Sequence, residues 1–385
     1  MAGKRSRPLC LGIKSGASAA RAMAQTLGIS IMTVQTFCFD MAGAGDVSLL
    51  ENWIKTLPVG QIRRLVVLAK TEGHHAPNDF SRDLLKLQLD RVFQESALTD
   101  RSLSMLAIGS EGVGSPKGFA FVELDPGKSQ GGSDAGESSA RLALGTACSE
   151  PVPIEDIGTL RLVDRVTRCA EAAIADARLE PEQVELLFIK SPMLPARHPA
   201  ATPLNSQLHR GRAISALGGG VALGEVDRER LTEESIAKDL SIYTRHVQGI
   251  AGAEIRRIEV VAMGNRPGAG GNLRIASTHT RDLLDQRSLR VLFTEQGLRS
   301  DPFGELIDGD RIEALIAKMM VPEDGLVRGS RTTVYTSGWA PESHIRAAAS
   351  GVLGSLLGHL RFFVSADSVH QAPIGGGMAA IVVRC

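Results

Sequence analysis

The sequence is poor in the residue types that commit a chain to several common functions. Aromatics make up 4% of its 385 residues, with two Trp and two Tyr, too few for platforms that stack the bases of single strands or sugar rings. Neither sign of charge is in excess, since 43 Lys and Arg balance 43 Asp and Glu. No net field draws a polyphosphate or an anionic surface, so neither nucleic acid nor membrane is an expected partner. Cys10, Cys38, Cys148, Cys169 and Cys385 are scattered and form no CxxC pair, which argues against a disulfide framework or a zinc knuckle and makes a reducing cytoplasm the expected compartment. No apolar run reaches the roughly 18 to 20 residues that cross a bilayer. The first acid is Asp40, and Lys4, Arg5, Arg7, Lys14 and Arg21 lie among Ala, Ser and Gly. Residues 1–29 are read as an untidy extension rather than a targeting segment.

What is present is an ordinary globular composition, 43% hydrophobic and 22% charged, in a chain long enough for two or three compact units. It repeats itself. Three apolar, strand-like runs end in lysine: Leu65 to Lys70, Leu186 to Lys190 and Ala314 to Lys318. Each is followed by an arginine in an Ala- or Leu-rich, helix-like stretch: Arg82, Arg212 and Arg346. A further strand ends near Ala107, Ile250 or Ser365, and a Gly/Pro turn leads to one more strand, read as GFAFVEL, GNLRIAS and GMAAIVV. Leu162 to Leu179 has the spacing of an amphipathic helix. The expected architecture is α/β, with three homologous units at 30–135, 150–285 and 286–385, the first two separated by the Gly/Ser-rich tract 127–139.

Equivalent lysines and arginines acquire a chemical meaning if the units close around a pseudo-threefold axis, because the cations then meet in one chamber. A lysine crowded by cations and removed from water loses its proton more easily and can act as a general base. Arginine stays charged and suits oxygen-rich substrates. Serine is the nucleophile expected beside a lysine base, and only the third copy has one at the matching place: Ser365, against Ala107 and Ile250. With Lys70, the residues Ala107, Ile250 and Ala366 are expected to line the substrate position. Weaker signals are set aside. The tract 264–271 has Leu273 where a dinucleotide fingerprint needs its third glycine. His74, His75 and His370 lack metal-ligand spacing, so no metal or cofactor is expected.

These motifs resemble the ring-opening amidohydrolases, the cyanuric acid hydrolase and barbiturase family, from about residue 30 to the C-terminus. The carriers are Lys70-Thr71-Glu72-Gly73, Asn78 to Arg82, Gly109 to Val113 with Ser115-Pro116, and Lys190 to Leu194. They continue with Ser215 to Gly218, Gly264-Asn265, Val327 to Arg331 and His370 to Pro373. The resemblance implies three similar domains around a pseudo-threefold axis, a Ser-Lys pair and a substrate-holding arginine from each domain, and a homo-oligomer, specifically a tetramer. In the family the second-domain serine is the nucleophile; here Ala107 and Ile250 replace two of the three serines, leaving Ser365 with Lys318. The family's structural cation near the C-terminal loop keeps Gln371, Ala372, Pro373 and Gly376, but Met320 stands where its acidic ligand is expected. The resulting expectation is a hydrolase of a small cyclic amide or imide. Ser365 attacks, Lys318 is the base, and Arg82, Arg212 and Arg346 hold the substrate. Cyanuric acid is disfavoured by the apolar Ile250. The alternatives are an acid/base reaction driven by Lys190 without a covalent intermediate, and a catalytically silent ligand-binding or scaffold homologue.

Overall fold

The computed structural model describes residues 31–73, 79–109, 112–125 and 140–385. The N-terminal extension, His74, His75, Asn78 and the Gly/Ser-rich tract lie outside them. The first unit runs β1 (Thr33–Asp40), α1 (Ser48–Lys55), β2 (Ile62–Thr71), α2 (Ser81–Glu95), β3 (Ser102–Ile108) and β4 (Lys117–Leu124). The second runs β5 (Arg141–Cys148), α3 (Leu160–Ala177), β6 (Val184–Pro192), α4 (Leu208–Ala222), β7 (Val247–Gly252) and β8 (Glu259–Arg266). The third runs β9 (Leu273–Thr280), α5 (Gln286–Glu295), β10 (Ile312–Met319), a two-residue hairpin β11 (Leu326–Val327) and β12 (Ser330–Arg331), α6 (Pro341–Leu357), β13 (Phe362–Ala366) and β14 (Gly377–Arg384). The four-stranded sheets have orders β1-β4-β2-β3, β5-β8-β6-β7 and β9-β14-β10-β13. In each, the closing strand is antiparallel to its two neighbours and the lysine strand is parallel to the strand after the arginine helix. The chain is therefore three copies of one βαβαββ unit.

The central strands are buried on both faces, which is why they read as continuous apolar runs rather than as alternating ones. The two-residue period sorts their side chains between two kinds of core. Leu65, Val67 and Ala69 of β2 pack outward with Leu85, Leu89 and Val92 of α2. Val66 and Leu68 face inward and join Leu186 and Phe188 of β6, Ala314 and Ile316 of β10, and Phe363 of β13. One shared core thus forms where the inner faces of all three sheets meet, and each sheet has its own outer core under its helices. The helix expected over 162–179 forms at Leu160–Ala177 and buries the anticipated stripe Leu162, Val163, Val166, Ala170, Ala173 and Ile174.

Two expectations of the sequence need correction. The strand GNLRIAS was assigned to the end of the second copy, but Leu273–Thr280 pairs with β14 and opens the third sheet; the strand that closes the second sheet is Glu259–Arg266, ahead of the glycine turn. Unit limits at 150 and 285 accordingly leave β5 outside the second sheet's residues and place β9 within them. Strand pairing, which sequence pattern does not report, decides both points.

The far end of the barrel-like centre is closed by polar contacts that pass from unit to unit. Each lysine strand has a register shift against its antiparallel neighbour near its start, between Ile62 and Arg64, Val184 and Leu186, or Ile312 and Ala314. The residue within each shift reaches the next unit. Arg63 Nη2 donates to Asp176 at 3.0 Å, Glu185 accepts from Ser277 Oγ at 2.7 Å, and Glu313 accepts from Thr36 Oγ1 at 3.5 Å. Beside Arg63, buried Arg64 donates through Nε to buried Glu123 at 2.7 Å and also contacts Asp176 and Thr146. Removing one member of such a buried pair strands the other charge. Arg64→Met is expected to lower the unfolding free energy by about 3 kcal/mol in urea titrations, whereas the exposed pair Lys55–Glu51 should contribute below about 1 kcal/mol when Lys55 is replaced by Met.

Candidate active site

The inward face that carries Val66 and Leu68 continues to Lys70, the face with Leu186 and Phe188 continues to Lys190, and the face with Ala314 and Ile316 continues to Lys318. All three lysines are buried, Lys318 completely. Their parallel neighbours are Ala107, Ile250 and Ser365 in the same register, Lys70 opposite Ala107, Lys190 opposite Ile250 and Lys318 opposite Ser365. The three positions compared in the sequence are thus geometric equivalents.

Each lysine crosses to another unit for a hydrogen bond. Lys70 Nζ donates to Val364 O at 2.5 Å, Lys190 Nζ to Leu106 O at 2.7 Å, and Lys318 Nζ to Gly249 O. The acceptors are the residues immediately before Ser365, Ala107 and Ile250. Three donors and three carbonyls therefore form a closed cycle around the axis. Gly249 permits one of these links because a Cβ there would meet Ser215 Cβ at 2.7 Å and Arg212 O at 2.8 Å; only glycine lets α4 lie so close to β7.

The arginines cross between units as well. Arg82 on α2 forms an ion pair with Glu254, just beyond β7, at 2.9 Å, and its buried Nε has no hydrogen-bond partner among the described residues. Arg212 on α4 pairs with Asp367, just beyond β13, at 2.8 Å and more loosely with Glu342 at 3.3 Å. Arg346 is buried on α6, with Nη2 3.5 Å from Ser343 Oγ. Ala366 is buried beside Ser365, and its register partner is Met319.

The three lysine positions differ electrostatically. Lys190 touches Glu254, which also faces Arg82. Burial lowers the Lys190 pKa from the ordinary lysine range, Glu254 opposes the fall and Arg82 adds to it. Burial disfavours the charged form of Glu254, but Lys190 and Arg82 outweigh it and keep that carboxyl below its ordinary range. Lys318 has no ion-paired carboxylate among the described residues. Its burial, reinforced by Arg212 and opposed by Asp367, holds it well below the ordinary lysine range. Ser365 is nearly buried, and its Oγ has no hydrogen-bond partner among the described residues.

Sequence reasoning passed over Glu254 and Asp367 as site residues. A signal for the first was available: Glu111 and Glu254 stand four residues after Ala107 and Ile250, whereas Val369 stands four after Ser365. In the third unit the carboxylate moves to Asp367, two residues after the serine, and Val369 is fully buried. Asp367 reaches Arg212 because its backbone is left-handed, with φ 69°, a conformation that aspartate tolerates better than most residues.

The residues around the C-terminal loop do not fit a structural cation. Gln371 is fully buried, its Oε1 accepts Gly249 N at 2.9 Å, and its Nε2 donates to Val369 O at 3.2 Å. Met320 presents no hard oxygen ligand. The loop instead ties units two and three together, since His370 O accepts Thr244 N and His370 Nε2 accepts Ala237 N, each at 2.9 Å.

Comparison with known proteins places this geometry. Residues 35–384 match the family described as amidohydrolase ring-opening protein. A cyclic amide hydrolase of Azorhizobium caulinodans is 30% identical, covering 89% of this chain and 97% of the relative. A cyanuric acid amidohydrolase of Pseudonocardia dioxanivorans is 32% identical over 83% of this chain and 90% of its own length, and barbiturase 1 of Nocardioides sp. is 30% identical over 88% and 95%. The crystal structure of the cyanuric acid hydrolase of A. caulinodans superposes with a TM-score of 0.80 at 26% identity, covering 92% of this chain and 99% of that one. Another cyanuric acid hydrolase structure, described as an evolutionary innovation by structural concatenation, gives 0.82 at 28% identity over 92% and 100%. With its threefold βαβαββ architecture and a family match over nearly its whole described length, the chain belongs to the ring-opening amidohydrolase family.

Proposed function

We propose that the protein is a hydrolase that opens a small cyclic amide or imide, with Ser365 as nucleophile and Lys318 as its base. The observation that carries this reading is the third register pair. Lys318 and Ser365 lie opposite each other on parallel strands, the lysine is buried without an ion-paired carboxylate among the described residues, and the serine hydroxyl has no partner there. A neutral amine keeps one N–H toward Gly249 O and has a lone pair to take a proton.

The reaction then follows from these groups. As Ser365 Oγ attacks a ring carbonyl, its proton passes to Lys318 Nζ. The tetrahedral intermediate carries negative charge on the former carbonyl oxygen, which the cationic side chains Arg82, Arg212 and Arg346 stabilise. Collapse breaks the ring C–N bond, and the proton held by Lys318 goes to the departing nitrogen. The ring is now open but still esterified to Ser365. Water, giving its proton to Lys318, attacks that ester; as the acyl–oxygen bond breaks, Lys318 passes the proton to Ser365 Oγ, which frees the carboxyl product and restores the neutral amine.

The other two pairs supply shape rather than a nucleophile. Ile250 belongs to the shared core and Ala107 packs against it, so a ring carbonyl aimed at either finds no hydroxyl. Each unpaired carbonyl costs about 1 to 3 kcal/mol, which favours a ring with an apolar edge over cyanuric acid. Lys190 is less suited to the base role because Glu254 contacts it and opposes the fall of its pKa. The enzyme is expected to work as a homo-oligomer in the cytoplasm.

Turnover of a panel of barbiturate, hydantoin and cyanurate rings, followed by loss of ring absorbance, tests the assignment. Ser365→Ala should reduce kcat by at least about 1000-fold, with an acyl adduct on Ser365 detectable by mass spectrometry in the parent protein. Retained turnover in Ser365→Ala combined with an inactive Lys190→Ala would overturn it in favour of the non-covalent reading. The pH dependence has a definite sign: the base must be neutral, so kcat falls as pH drops through the lowered pKa of Lys318 and is level above it. Stability should separate the two lysines. Lys318→Met removes a desolvated amine but leaves the buried Gly249 carbonyl without its donor, so the two effects offset and the unfolding free energy is expected to change by less than about 1 kcal/mol. Lys190→Met leaves buried Glu254 with Arg82 alone and should lower it by about 1 to 3 kcal/mol.

A further inference from the structure

The cluster around Asp367 contains a side chain that the mechanism above does not use. His209 lies three residues before Arg212 on α4, so both project from the same face of that helix. His209 Nδ1 contacts both oxygens of Asp367, at 2.9 and 3.0 Å, while Arg212 Nη1 holds Oδ2 at 2.8 Å. Two groups from the second unit thus engage one carboxylate that stands two residues after Ser365 in the third. His209 is 43% exposed at its side chain against 12% for Asp367, so it exchanges protons with solvent while its partner is shielded.

The contrast with the second unit gives this arrangement its meaning. There Glu254 rests directly on Lys190. In the third unit the only carboxylate that acts on Lys318 among the described residues is Asp367, and its oxygens are taken up by His209 and Arg212. We propose that His209 is a positioning residue of the Lys318–Ser365 pair: by sharing Asp367 with Arg212 it keeps that carboxylate off Lys318, so that the amine remains available as a base.

The other charged and titratable groups facing the cluster are few. On Lys318 they are Arg212 and Asp367. On Arg212 there is also Glu342 of α6. Tyr335, in the segment before α6, feels Asp367; His370, beyond β13, feels His209, Asp239 and Asp367; and Lys70 approaches the Ser365 strand at Val364 O. The hydrogen bond to Asp367 raises the His209 pKa above its ordinary value, so the imidazolium persists toward neutral pH. Loss of that cation leaves the neighbourhood more negative, and a more negative neighbourhood makes Lys318 easier to protonate.

The catalytic meaning of this inference rests on the ring-opening reading, so its test has a readout that needs no turnover. In the full-length protein labelled with 13C at lysine Cε, the Lys318 resonance, assigned by its loss in Lys318→Met, reports the amine titration. His209→Gln is expected to move that midpoint to higher pH by about 1 unit. Asp367→Asn should move it to lower pH, and His209→Arg, which keeps a cation, should restore the parent position. The acidic limb of the kcat profile should move with it in each variant. A midpoint unchanged in His209→Gln, or displaced in the same direction by His209→Gln and Asp367→Asn, overturns the proposal. A parent protein that opens no ring refutes the proposed reaction, while the lysine titrations still decide the role of His209.

Discussion

Three lysine side chains in the interior are the constraint around which this molecule is built. An ammonium group removed from water is costly unless it finds acceptors or gives up its proton. Here each amine finds one acceptor in a backbone carbonyl of another unit, at Val364, Leu106 or Gly249. No unit can meet that requirement alone, because the carbonyl lies across the axis. Closure of the threefold arrangement and solvation of the lysines are therefore one requirement, supported at the opposite end by the polar cycle through Arg63, Glu185 and Glu313.

The pseudo-symmetry stops at the carboxylates. Glu254 sits on Lys190, whereas Asp367 is displaced along the chain and engaged by His209 and Arg212. In a low-dielectric interior a single charge at contact distance decides a protonation state. Lys190 consequently has an ion-paired carboxylate that opposes the fall of its pKa, and Lys318 has no ion-paired carboxylate among the described residues. The serine stands opposite Lys318, which has no ion-paired carboxylate among the described residues, and not opposite Lys190, which has one. That coincidence, rather than the presence of serine alone, is what supports the proposal of the third pair as nucleophile and base.

Much of this was legible in the sequence. The strand-ending lysines, the helix arginines and the equivalence of Ala107, Ile250 and Ser365 are all visible in the repeat, because strands buried on both faces leave continuous apolar runs whose end is marked by the first charged residue. The opening strand of each unit was harder to read. Arg141–Cys148 lacks a long apolar run, and Leu273–Thr280 follows the glycine turn so closely that it passes for the end of the preceding copy until its pairing with β14 is seen. The carboxylates were hidden for another reason. Glu254 meets Arg82 across 172 positions, and Asp367 meets Arg212 across 155; no local pattern encodes a contact that depends on how separate units dock.

The lysine cycle also explains how the units can share an architecture while differing in chemistry. Its acceptors are main-chain oxygens, so the side chain that follows each acceptor is free to be alanine, isoleucine or serine without loosening the link. Closure of the units accordingly needs no hydroxyl at any of these places, and the reaction proposed at one register pair is compatible with Ala107 and Ile250 at the other two. A scaffold that fastened its lysines through the serine hydroxyls would lose an inter-unit bond with every such replacement. Fastening through the backbone separates the requirement for folding from the choice of substrate.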